Sequence, residues 1–572
     1  MDERVHEWLQ RDPDPQTRAA LEQAVARGDS AELAQAFGSR LEFGTAGLRG
    51  ILGAGPARMN RLVVRETTAG LATYLFDKVA SVATRGVVIG YDARRGSRVF
   101  AEDAACVLAG CGIKAYLFER ECPTPLCAFA TRELGAAAGV MVTASHNPPE
   151  YNGYKVYWDN GAQIIPPHDA GIAAAILDAA TLPLPWHEFQ VARAEGRIVD
   201  LDDTMAERYL AGIAGLSIHP PSAARARLGI AYTPLHGVGA RLAEQALARA
   251  GFTKVRTVAS QREPDGAFPT VRFPNPEEPG AMDALVALAV EMKAELACAN
   301  DPDADRLAVA VRRPDGTYRV LSGNEIGVLL GFDRLSGAPK DALVVTTIVS
   351  SRLLGAMAKA RGAAYEETLT GFKWIANVGL AREAEGARFV FGYEEALGYT
   401  IGGLVRDKDG ISALTMFAEM TAALCERGES VLDRLDAIAR EFGLYATRQK
   451  SLALDPKQSA TVGGKLRTSP ARAIAGHRVL MIDDLLSGLR TRSDGKNERL
   501  TLPASDVLIY SIEGEGRVIV RPSGTEPKLK CYYELRLAVA TGEPVADTER
   551  RAAVALDGLI AAHQRELAAA LM

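Results

Sequence analysis

The sequence predicts an α/β protein with three similar domains and a smaller α+β domain at the C-terminus. Three successive segments alternate apolar, strand-like runs with helical stretches in the order βαβαβ, and polar residues follow the last strand of each segment. After about residue 445 the pattern changes to closely spaced strands and a final helix. A length of 572 residues also fits about four domains. Loops that follow the strands of a mostly parallel sheet gather at one edge, where ligands bind.

The N-terminal part is expected to form a helical extension over residues 1–40, followed by a first α/β domain over 41–200. Pro13 and Pro15 interrupt the helical pattern, which resumes over 17–37. In the first α/β domain the expected strands are 87–89, 115–118 and 140–142, and the expected helices are 100–109 and 126–134. Ser145 follows the last of these strands.

The second α/β domain is expected over 201–318 and the third over 319–445. The second has expected strands at 228–232, 255–258 and 296–299 and helices at 240–250 and 282–292. The third has expected strands at 343–345, near 365 and at 389–391 and helices at 351–360 and 372–384. Asp301 follows the last strand of the second domain, and Glu394 follows that of the third.

The C-terminal domain is expected over 446–572, where the pattern is no longer a regular alternation of strand and helix. Its expected strands are 507–510, 517–520 and 529–537, and its final helix begins at Asp547. The loop that contains Arg521 follows the second of these strands.

Composition and charge exclude several functional classes. The chain is 48% hydrophobic and 24% charged, with a net charge of -5 and no block of basic residues, so nucleic acid is not an expected partner. No stretch of eighteen uninterrupted apolar residues predicts a membrane span, and the charged start is unlike a signal peptide. The seven cysteines form no C-x-x-C pair, which indicates a reduced, cytoplasmic location.

Ser145 is the candidate nucleophile, in the sequence Thr143-Ala144-Ser145-His146-Asn147-Pro148. A lone serine after a strand is most often a turn former or a helix cap, so the residue alone proves little. The G-x-S-x-G elbow is absent, and consecutive side chains on an extended backbone point to opposite faces, which argues against His146 as its base. Lys155 follows turn residues and is placed to fold back toward Ser145; a solvated lysine is the alternative.

Asp301, Asp303 and Asp305 are the candidate metal ligands. Three like charges within five residues are costly unless a cation compensates them, and carboxylate oxygens suit magnesium or calcium. Arg306 stands where an EF-hand requires glycine, which favours magnesium beside a phosphate. The alternative is an acidic surface turn, although apolar residues flank the run on both sides.

Three further motifs suit anion binding. The run from Arg521 to Lys528 combines a guanidinium, two hydroxyls and a glycine, and is expected to hold a phosphate. A glycine-rich loop over 44–50 contains Arg49, and the run from Thr370 to Trp374 opens a helix with a lysine near its N-terminus. No Walker A sequence is present, so a nucleoside triphosphate is not indicated.

Together these motifs resemble the α-D-phosphohexomutase superfamily, over residues 42–534. The motifs that carry the resemblance are Thr-Ala-Ser-His-Asn-Pro from Thr143, Asp-Pro-Asp-Ala-Asp-Arg from Asp301, Tyr-Glu-Glu-Ala-Leu-Gly from Tyr393 and Arg-Pro-Ser-Gly-Thr-Glu-Pro from Arg521. The runs Gly371-Phe372-Lys373-Trp374 and Arg406-Asp407-Lys408-Asp409-Gly410 resemble the long phosphoglucomutase and phosphopentomutase branch. The resemblance implies three mixed-sheet α/β domains and a fourth, smaller domain around a central cleft.

The resemblance also implies roles for individual residues. It makes Ser145 the phosphoserine, whose phosphate would hold Mg²⁺ together with Asp301, Asp303 and Asp305. It places Arg49, Lys155 and His146 in the catalytic centre, with Arg49 and Lys155 in acid-base work. The implied substrate-binding residues are Arg306, Thr370, Gly371, Lys373, Glu394, Arg521, Ser523, Gly524 and Thr525.

The implied function is a phosphosugar mutase that interconverts glucose 1-phosphate and glucose 6-phosphate through a sugar bisphosphate, which also serves as activator. Phosphomannomutase and phosphopentomutase are the alternatives, because Ala396 stands where shorter branches have serine and leaves the preferred sugar open. A phosphosugar-binding regulator and a phosphatase are the rivals from other classes. Crowding by Arg49 and a metal is expected to lower the pKa of Lys155 so that it can act as a base. The sequence does not predict the oligomeric state.

Overall fold

The structure is a computed structural model that describes residues 3–44, 47–522 and 528–571. It divides into two compact units. The first contains Met1–Ile326, Phe389–Tyr393 and Leu397–Arg427, and the second contains Gly327–Arg388, Glu394–Ala396 and Gly428–Met572.

The first part of the chain forms the predicted helical extension and the first α/β sheet. Its elements are α1 (Glu3–Arg11), α2 (Pro15–Ala26), α3 (Ser30–Phe37), β1 (Gly47–Ile51), α4 (Arg61–Lys78), α5 (Val82–Arg85), β2 (Val87–Tyr91), α6 (Ser97–Gly110), β3 (Ala115–Phe118), α7 (Thr124–Glu133), β4 (Ala138–Val142), β5 (Tyr151–Trp158), α8 (His168–Ala179), α9 (Phe189–Ala194) and β6 (Ile198–Leu201). The strand order is β1-β5-β4-β2-β3-β6. Strands β2, β3, β4 and β6 run in parallel, whereas β5 is antiparallel to both β4 and β1, so the sheet is mixed.

The predicted strands of this sheet are present and lie in its centre. Every residue of β2 and β4 is buried, as expected for strands covered by helices on both faces. Strand β5 was not predicted, and it pairs Lys155 with Met141 of β4. The chain therefore reverses after β4, and the turn of this hairpin contains Ser145.

The second part repeats the pattern with a shorter sheet. Its elements are α10 (Asp203–Ala214), α11 (Ala223–Arg227), β7 (Gly229–Thr233), α12 (Ala240–Arg249), β8 (Lys254–Thr257), α13 (Ala259–Arg262), α14 (Asp283–Met292), β9 (Leu296–Ala299), β10 (Ala308–Arg312) and β11 (Tyr318–Val320). The strand order is β11-β10-β9-β7-β8, with β10 antiparallel to β9. The acidic run from Asp301 to Asp305 forms the connection between β9 and β10.

The third part contains the predicted βαβαβ succession. Its elements are α15 (Gly323–Leu335), β12 (Ala342–Thr347), α16 (Leu353–Arg361), β13 (Ala364–Thr368), α17 (Phe372–Ala384), β14 (Arg388–Glu394), β15 (Gly398–Ile401), α18 (Gly410–Glu426) and α19 (Val431–Phe442). Strands β12 and β13 pair in parallel. Helix α17 has the predicted bounds, because Gly371 precedes it with a φ of 111° and ends the loop there.

The C-terminal part is the predicted smaller α+β domain. Its elements are β16 (Leu444–Ala453), α20 (Pro456–Thr468), β17 (Ala473–Ile474), β18 (His477–Asp484), β19 (Leu489–Arg492), β20 (Asn497–Arg499), β21 (Leu508–Ile512), β22 (Gly516–Pro522), β23 (Lys528–Leu537) and α21 (Val545–Leu571). The main sheet has the antiparallel order β16-β23-β22-β21-β18-β19-β20. An apolar cluster packs this domain on the preceding one and includes Ile348, Leu369, Leu485, Ile509 and Tyr532.

The helical extension packs on the first α/β domain. Val5, Trp8, Leu21 and Phe37 belong to the same buried cluster as Val87, Ile89 and Val140 of the central strands. The rings of Trp8 and Phe37 meet edge to face at 6.0 Å between centroids. The extension therefore completes a hydrophobic core.

Two further predictions bear on the environment of the protein. Among the described residues, no helix combines the length and the apolarity that a membrane crossing requires. All seven cysteines are free thiols, as expected from their scattered positions.

Candidate active site

Ser145 lies in the turn between β4 and β5 with a strained backbone. Its φ is 51°, in the left-handed region that residues other than glycine rarely adopt. Its backbone N–H donates to Thr143 Oγ1 at 2.9 Å, and the Thr143 hydroxyl donates to the buried carboxylate of Asp92 at 2.6 Å. Such strain costs about 1–3 kcal/mol and persists where surrounding contacts hold it. The backbone of Ser145 is thus held in one conformation.

The Ser145 hydroxyl contacts the acidic run of the second α/β domain. Ser145 Oγ donates to Asp301 Oδ2 at 2.8 Å. Asp301, Asp303 and Asp305 are all buried, which excludes the acidic surface turn considered from the sequence. The structure therefore brings the predicted nucleophile and the predicted metal ligands together.

Two of the three carboxylates, those of Asp303 and Asp305, pair with lysine ammonium groups. Lys155 Nζ lies 2.7 Å from Asp303 Oδ2 and 3.1 Å from Asp305 Oδ2, and Lys408 Nζ lies 3.3 Å from the same Asp305 oxygen. Lys155 is buried, which excludes the alternative of a solvated lysine. Lys408 had no role predicted from the sequence, because nothing local connects it to Asp305, about a hundred positions earlier.

Hydrogen bonds from the first domain also hold Asp303. The Thr124 hydroxyl donates to Asp303 Oδ2 at 2.6 Å, and the Thr124 N–H donates to the Asp303 carbonyl at 2.9 Å. Sequence reasoning missed Thr124. The available signal was its position at the start of α7, directly after the loop that follows β3.

The charges of this cluster shift the pKa values of its members in different directions. Burial and the charges of Asp305 and Asp303 raise the pKa of Asp301 well above its usual range. Burial also opposes ionisation of Asp303, but the ammonium of Lys155 outweighs it and lowers the pKa of Asp303.

Opposing effects set the pKa of Lys155. Burial favours the neutral amine, but the carboxylates of Asp303 and Asp305 outweigh this effect and raise the pKa of Lys155. The lowering expected from the sequence depends on a metal ion bound to the same carboxylates, so it stays a prediction for the metal-loaded site.

The donor set of the cluster fits a hard divalent cation. One oxygen from each of Asp301, Asp303 and Asp305 lies within 4.8 Å of the others. Asp303 Oδ1 and Asp305 Oδ1 are buried without a hydrogen-bond partner in the described part of the chain. Unsatisfied buried carboxylate oxygens are costly, and Mg²⁺ takes such ligands. These three residues therefore suit Mg²⁺.

His146 and Arg49 lie around the nucleophile. His146 Nδ1 is 3.2 Å from Ser145 Oγ, so the expectation that the ring faces away from the hydroxyl was wrong. That expectation assumed an extended backbone, whereas Ser145 is left-handed. Burial, Arg306 and Arg49 lower the pKa of His146 well below its usual value. Arg49 lies on β1 and donates to Asn147 Oδ1 at 3.0 Å.

Arg306 directly follows the acidic run in the sequence. Its backbone N–H donates to Asp301 Oδ1 at 3.0 Å, and its guanidinium lies 3.3 Å from Glu277 Oε2. The residue therefore stands directly beside the cluster, where the resemblance placed a substrate-binding cation.

The predicted phosphate-binding and sugar-binding residues belong to the second unit. Lys373 lies in the first turn of α17, is buried, and has its Nζ 5.4 Å from the ring centre of Trp374. Thr370 Oγ1 is buried and has no hydrogen-bond partner among the described residues, and Gly371 follows it. Arg521 lies near the end of β22 and hydrogen-bonds Tyr532. Ser523, Gly524 and Thr525 lie outside the described residues.

Adjacent carboxyl groups follow β14 in this unit. Glu394 and Glu395 are both half-buried. Glu395 Oε2 accepts hydrogen bonds from Ser350 Oγ at 2.9 Å and Thr347 Oγ1 at 3.2 Å. Burial and the neighbouring charge of Glu394 nevertheless raise the pKa of Glu395 to about 7.

Comparisons with known proteins cover most of the chain. The four models of phosphoglucomutase/phosphomannomutase, namely the alpha/beta/alpha domains I, II and III and the C-terminal domain, match residues 40–182, 207–316, 322–442 and 510–552. The Mus musculus protein named "Phosphopentomutase" is 36% identical over 568 residues, with 95% of this chain and 92% of that protein covered. The Haemophilus influenzae protein named "Probable phosphomannomutase" is 41% identical over 488 residues, with coverages of 84% and 93%.

A solved structure shows the same fold. The Paramecium phosphoprotein pp63/parafusin, a phosphoglucomutase in its open form, gives a TM-score of 0.70 at 16% identity. The likeness covers 93% of this chain and 96% of that one.

Proposed function

Since the chain belongs to the phosphoglucomutase/phosphomannomutase family, we propose that it is a phosphosugar mutase that interconverts glucose 1-phosphate and glucose 6-phosphate through phosphorylated Ser145. One observation carries the proposal. The Ser145 hydroxyl donates to Asp301 of a buried cluster of three carboxylates, so a nucleophile and a cation site share one centre. A phosphoryl group on this serine would lie beside the compensating charges that phosphoryl transfer needs.

In the proposed reaction phospho-Ser145 gives its phosphoryl group to the free hydroxyl of a sugar monophosphate. The bond between phosphorus and Ser145 Oγ breaks, a bond to the sugar oxygen forms, and the hydroxyl proton passes to the enzyme. The product is a sugar bisphosphate, which turns round and returns its other phosphoryl group to Ser145. A sugar 1-phosphate thereby becomes a 6-phosphate, and no net phosphate is consumed.

The charged side chains of the first unit stabilise the transferring group. Lys155 and Arg306 supply positive charge beside Ser145, and this charge is in place before the reaction begins. We assign proton transfer to Lys155 and Arg49, with His146 next to the nucleophile. Mg²⁺ bound by Asp301, Asp303, Asp305 and the Ser145 phosphate would offset further charge on the phosphoryl group.

The second unit is proposed to hold the part of the substrate that does not react. Lys373 and Arg521 would bind the distal phosphate, since the buried Thr370 hydroxyl at the N-terminus of α17 has no hydrogen-bond partner within the described part of the chain and such termini favour anions. Gly371, Ser523, Gly524 and Thr525 complete this group by resemblance. Glu394 is assigned to the sugar hydroxyls.

Pentose phosphates are the second candidate substrates. The Mus musculus relative, which matches nearly the whole chain, is named for a pentose phosphate, and the Haemophilus influenzae relative for mannose phosphate. Ala396 removes a hydroxyl from the loop assigned to the sugar. Comparing kcat/KM for glucose 1-phosphate, ribose 1-phosphate and mannose 1-phosphate decides among them, and a preference of tenfold or more for ribose 1-phosphate would replace glucose in the proposal.

The proposal is tested with Ser145→Ala in an assay that couples glucose 6-phosphate formation to its oxidation, with a trace of glucose 1,6-bisphosphate. Turnover should be lost while the melting temperature stays close to that of the wild type. Ser217→Ala is the matched control, because the Ser217 hydroxyl donates to Glu419 and, among the described residues, hydrogen-bonds none of those in the proposed site. Near-wild-type turnover in Ser145→Ala refutes the proposal, release of inorganic phosphate indicates a phosphatase, and binding without turnover indicates a phosphosugar-binding regulator.

A further inference from the structure

Arg94 lies beneath the turn that contains Ser145, and none of the motifs above includes it. Its guanidinium donates to four carbonyl oxygens of that turn. They are the carbonyls of Ser145 at 2.6 Å, Asn147, Pro148 at 2.8 Å and Tyr151 at 3.1 Å. The side chain is 4% exposed and follows strand β2. A single side chain thus joins both ends of the loop between β4 and β5.

This arrangement needs a guanidinium. Four carbonyl dipoles that converge on one point repel each other unless a cation lies between them. The planar fork of arginine presents several N–H donors in different directions, whereas the ammonium of lysine presents its donors from one atom. Lysine would therefore keep the charge but lose part of the four-point contact.

Arg94 is itself held from two sides. Its Nε lies 3.4 Å from Asp92 Oδ2, and Asp92 also accepts the hydroxyls of Ser97 and Thr143 at 2.6 Å each. On the other side the ring of Phe268, from the second α/β domain, has its centre 4.9 Å from the guanidinium carbon. The guanidinium therefore has little freedom to move.

The backbone N–H and the backbone carbonyl of Ser145 are consequently both fixed by one connected network of hydrogen bonds and an ion pair. Its N–H is bound through Thr143 to Asp92, and its carbonyl is bound by Arg94. Asp92 and Arg94 contact each other, so the network closes on both sides of the residue. This fixes the left-handed φ that directs Ser145 Oγ toward Asp301.

We propose that Arg94 is a positioning residue for the nucleophile, which acts through the loop carbonyls and does not touch the substrate. The inference rests on the proposed function for its catalytic consequence. A displacement of about 1 Å at a reacting atom can reduce the rate by about 100-fold without a direct contact. Loss of the four-point contact should therefore lower kcat and leave KM nearly unchanged.

The test compares Arg94→Lys with Arg225→Lys. Arg225 is also buried, pairs with Glu419 at 2.9 Å, and donates to the carbonyls of Ala250 and His219, and none of its partners within the described part of the chain belongs to the proposed site. Both variants should lose a similar amount of thermal stability. Only Arg94→Lys should lower kcat, by about 100-fold, with KM within about twofold of the wild-type value. A kcat within threefold of wild type in folded Arg94→Lys overturns the inference.

Chemical rescue separates positioning from a general loss of folding. In Arg94→Ala, guanidinium chloride at millimolar concentration should restore part of kcat, while the same concentration of sodium chloride should not. Failure of guanidinium to restore activity in a variant that still binds substrate with wild-type KM counts against the inference.

Hydrogen exchange provides a readout that does not depend on turnover. Peptides that span 143–151 should exchange faster in Arg94→Lys than in the wild type and stay unchanged in Arg225→Lys. If the wild-type protein converts none of the sugar phosphates, the proposed function fails, and the exchange result still decides whether Arg94 holds the loop. Unchanged exchange over 143–151 in Arg94→Lys overturns the inference even if the wild type is an active mutase.

Discussion

Replacement of Glu395 by glutamine removes a carboxyl group whose pKa is raised to about 7 by burial and by the charge of Glu394. The hydroxyls of Ser350 and Thr347 bond its carboxylate but do not compensate for these effects. Tyr532 lies near the same pair of glutamates and offers no positive charge. The glutamine amide has nearly the same size, and its oxygen can accept the same two hydrogen bonds. The substitution therefore removes the titration with little change in packing.

The size of the effect follows from the difference between 4.5, the usual pKa of glutamate, and about 7 in the folded protein. Each tenfold change in proton affinity corresponds to about 1.4 kcal/mol, so the full effect is about 3.5 kcal/mol. The folded protein binds more protons at Glu395 between these pH values, so its contribution is present below pH 4.5 and is lost as pH rises through about 7. Between pH 5 and pH 8 the wild type should lose roughly 2.5 kcal/mol through this group.

The assay measures the free energy of unfolding in urea at pH 5, 6, 7 and 8. Hydrogen exchange of peptides from 343–353, which include Ser350, reports on the part of the structure that surrounds the carboxyl group. Glu395→Gln should gain stability relative to the wild type as pH rises, because only the wild type must ionise the carboxyl group of Glu395 beside Glu394.

Glu534→Gln is the matched control in the same unit. Burial opposes the charge of Glu534, but Arg517 and Arg352 outweigh it and lower its pKa, so its stabilising contribution is complete above about pH 5. The difference between this variant and the wild type should stay constant from pH 6 to pH 8. A constant difference between Glu395→Gln and the wild type over pH 5 to pH 8 would refute the reasoning.

Three other outcomes are expected. Asp303→Asn should lower kcat by roughly 10²- to 10³-fold, because it weakens one cation ligand, and should also lower the melting temperature, because it deprives the buried ammonium of Lys155 of a carboxylate partner at 2.7 Å; a kcat within threefold of the wild-type value in the folded variant would contradict this. Chelation with EDTA should abolish turnover and added Mg²⁺ should restore it, whereas activity that survives chelation rules out the metal. Asp103→Asn should destabilise the fold by about 3–5 kcal/mol at unchanged kcat, because buried Asp103 pairs with Arg61 and Arg65 at 2.7 Å each; calorimetry and the coupled assay measure the two effects.

Much of the candidate active site could be predicted because its parts follow apolar strands. The runs that became β4 and β9 are uninterrupted and buried, so the loops after them could be located from the sequence. Ser145 and Asp301 come from these loops and bond each other. Lys155 was expected to return toward the serine, and β5 brings it to the carboxylates.

The features that could not be predicted depend on backbone angles and tertiary contacts that the local sequence does not specify. The left-handed φ of Ser145 turned His146 toward the hydroxyl, and no pattern of apolar residues announces such an angle. Arg94 follows β2 and Lys408 precedes α18, and tertiary packing alone brings them to this site. Strand β16 was missed because its residues are half-buried or exposed and carry no alternation of apolar and polar side chains.

The packing of the N-terminal helices limits where the protein can be truncated. The family match begins at residue 40, so a fragment that starts there would still contain all four matched domains. This truncation would remove Trp8, Leu21 and Phe37 from the hydrophobic core that they share with Val87 and Ile89. It would leave an apolar surface exposed to solvent. A truncated product should precipitate or require a chaperone, whereas an affinity handle placed before Glu3 leaves that interior intact.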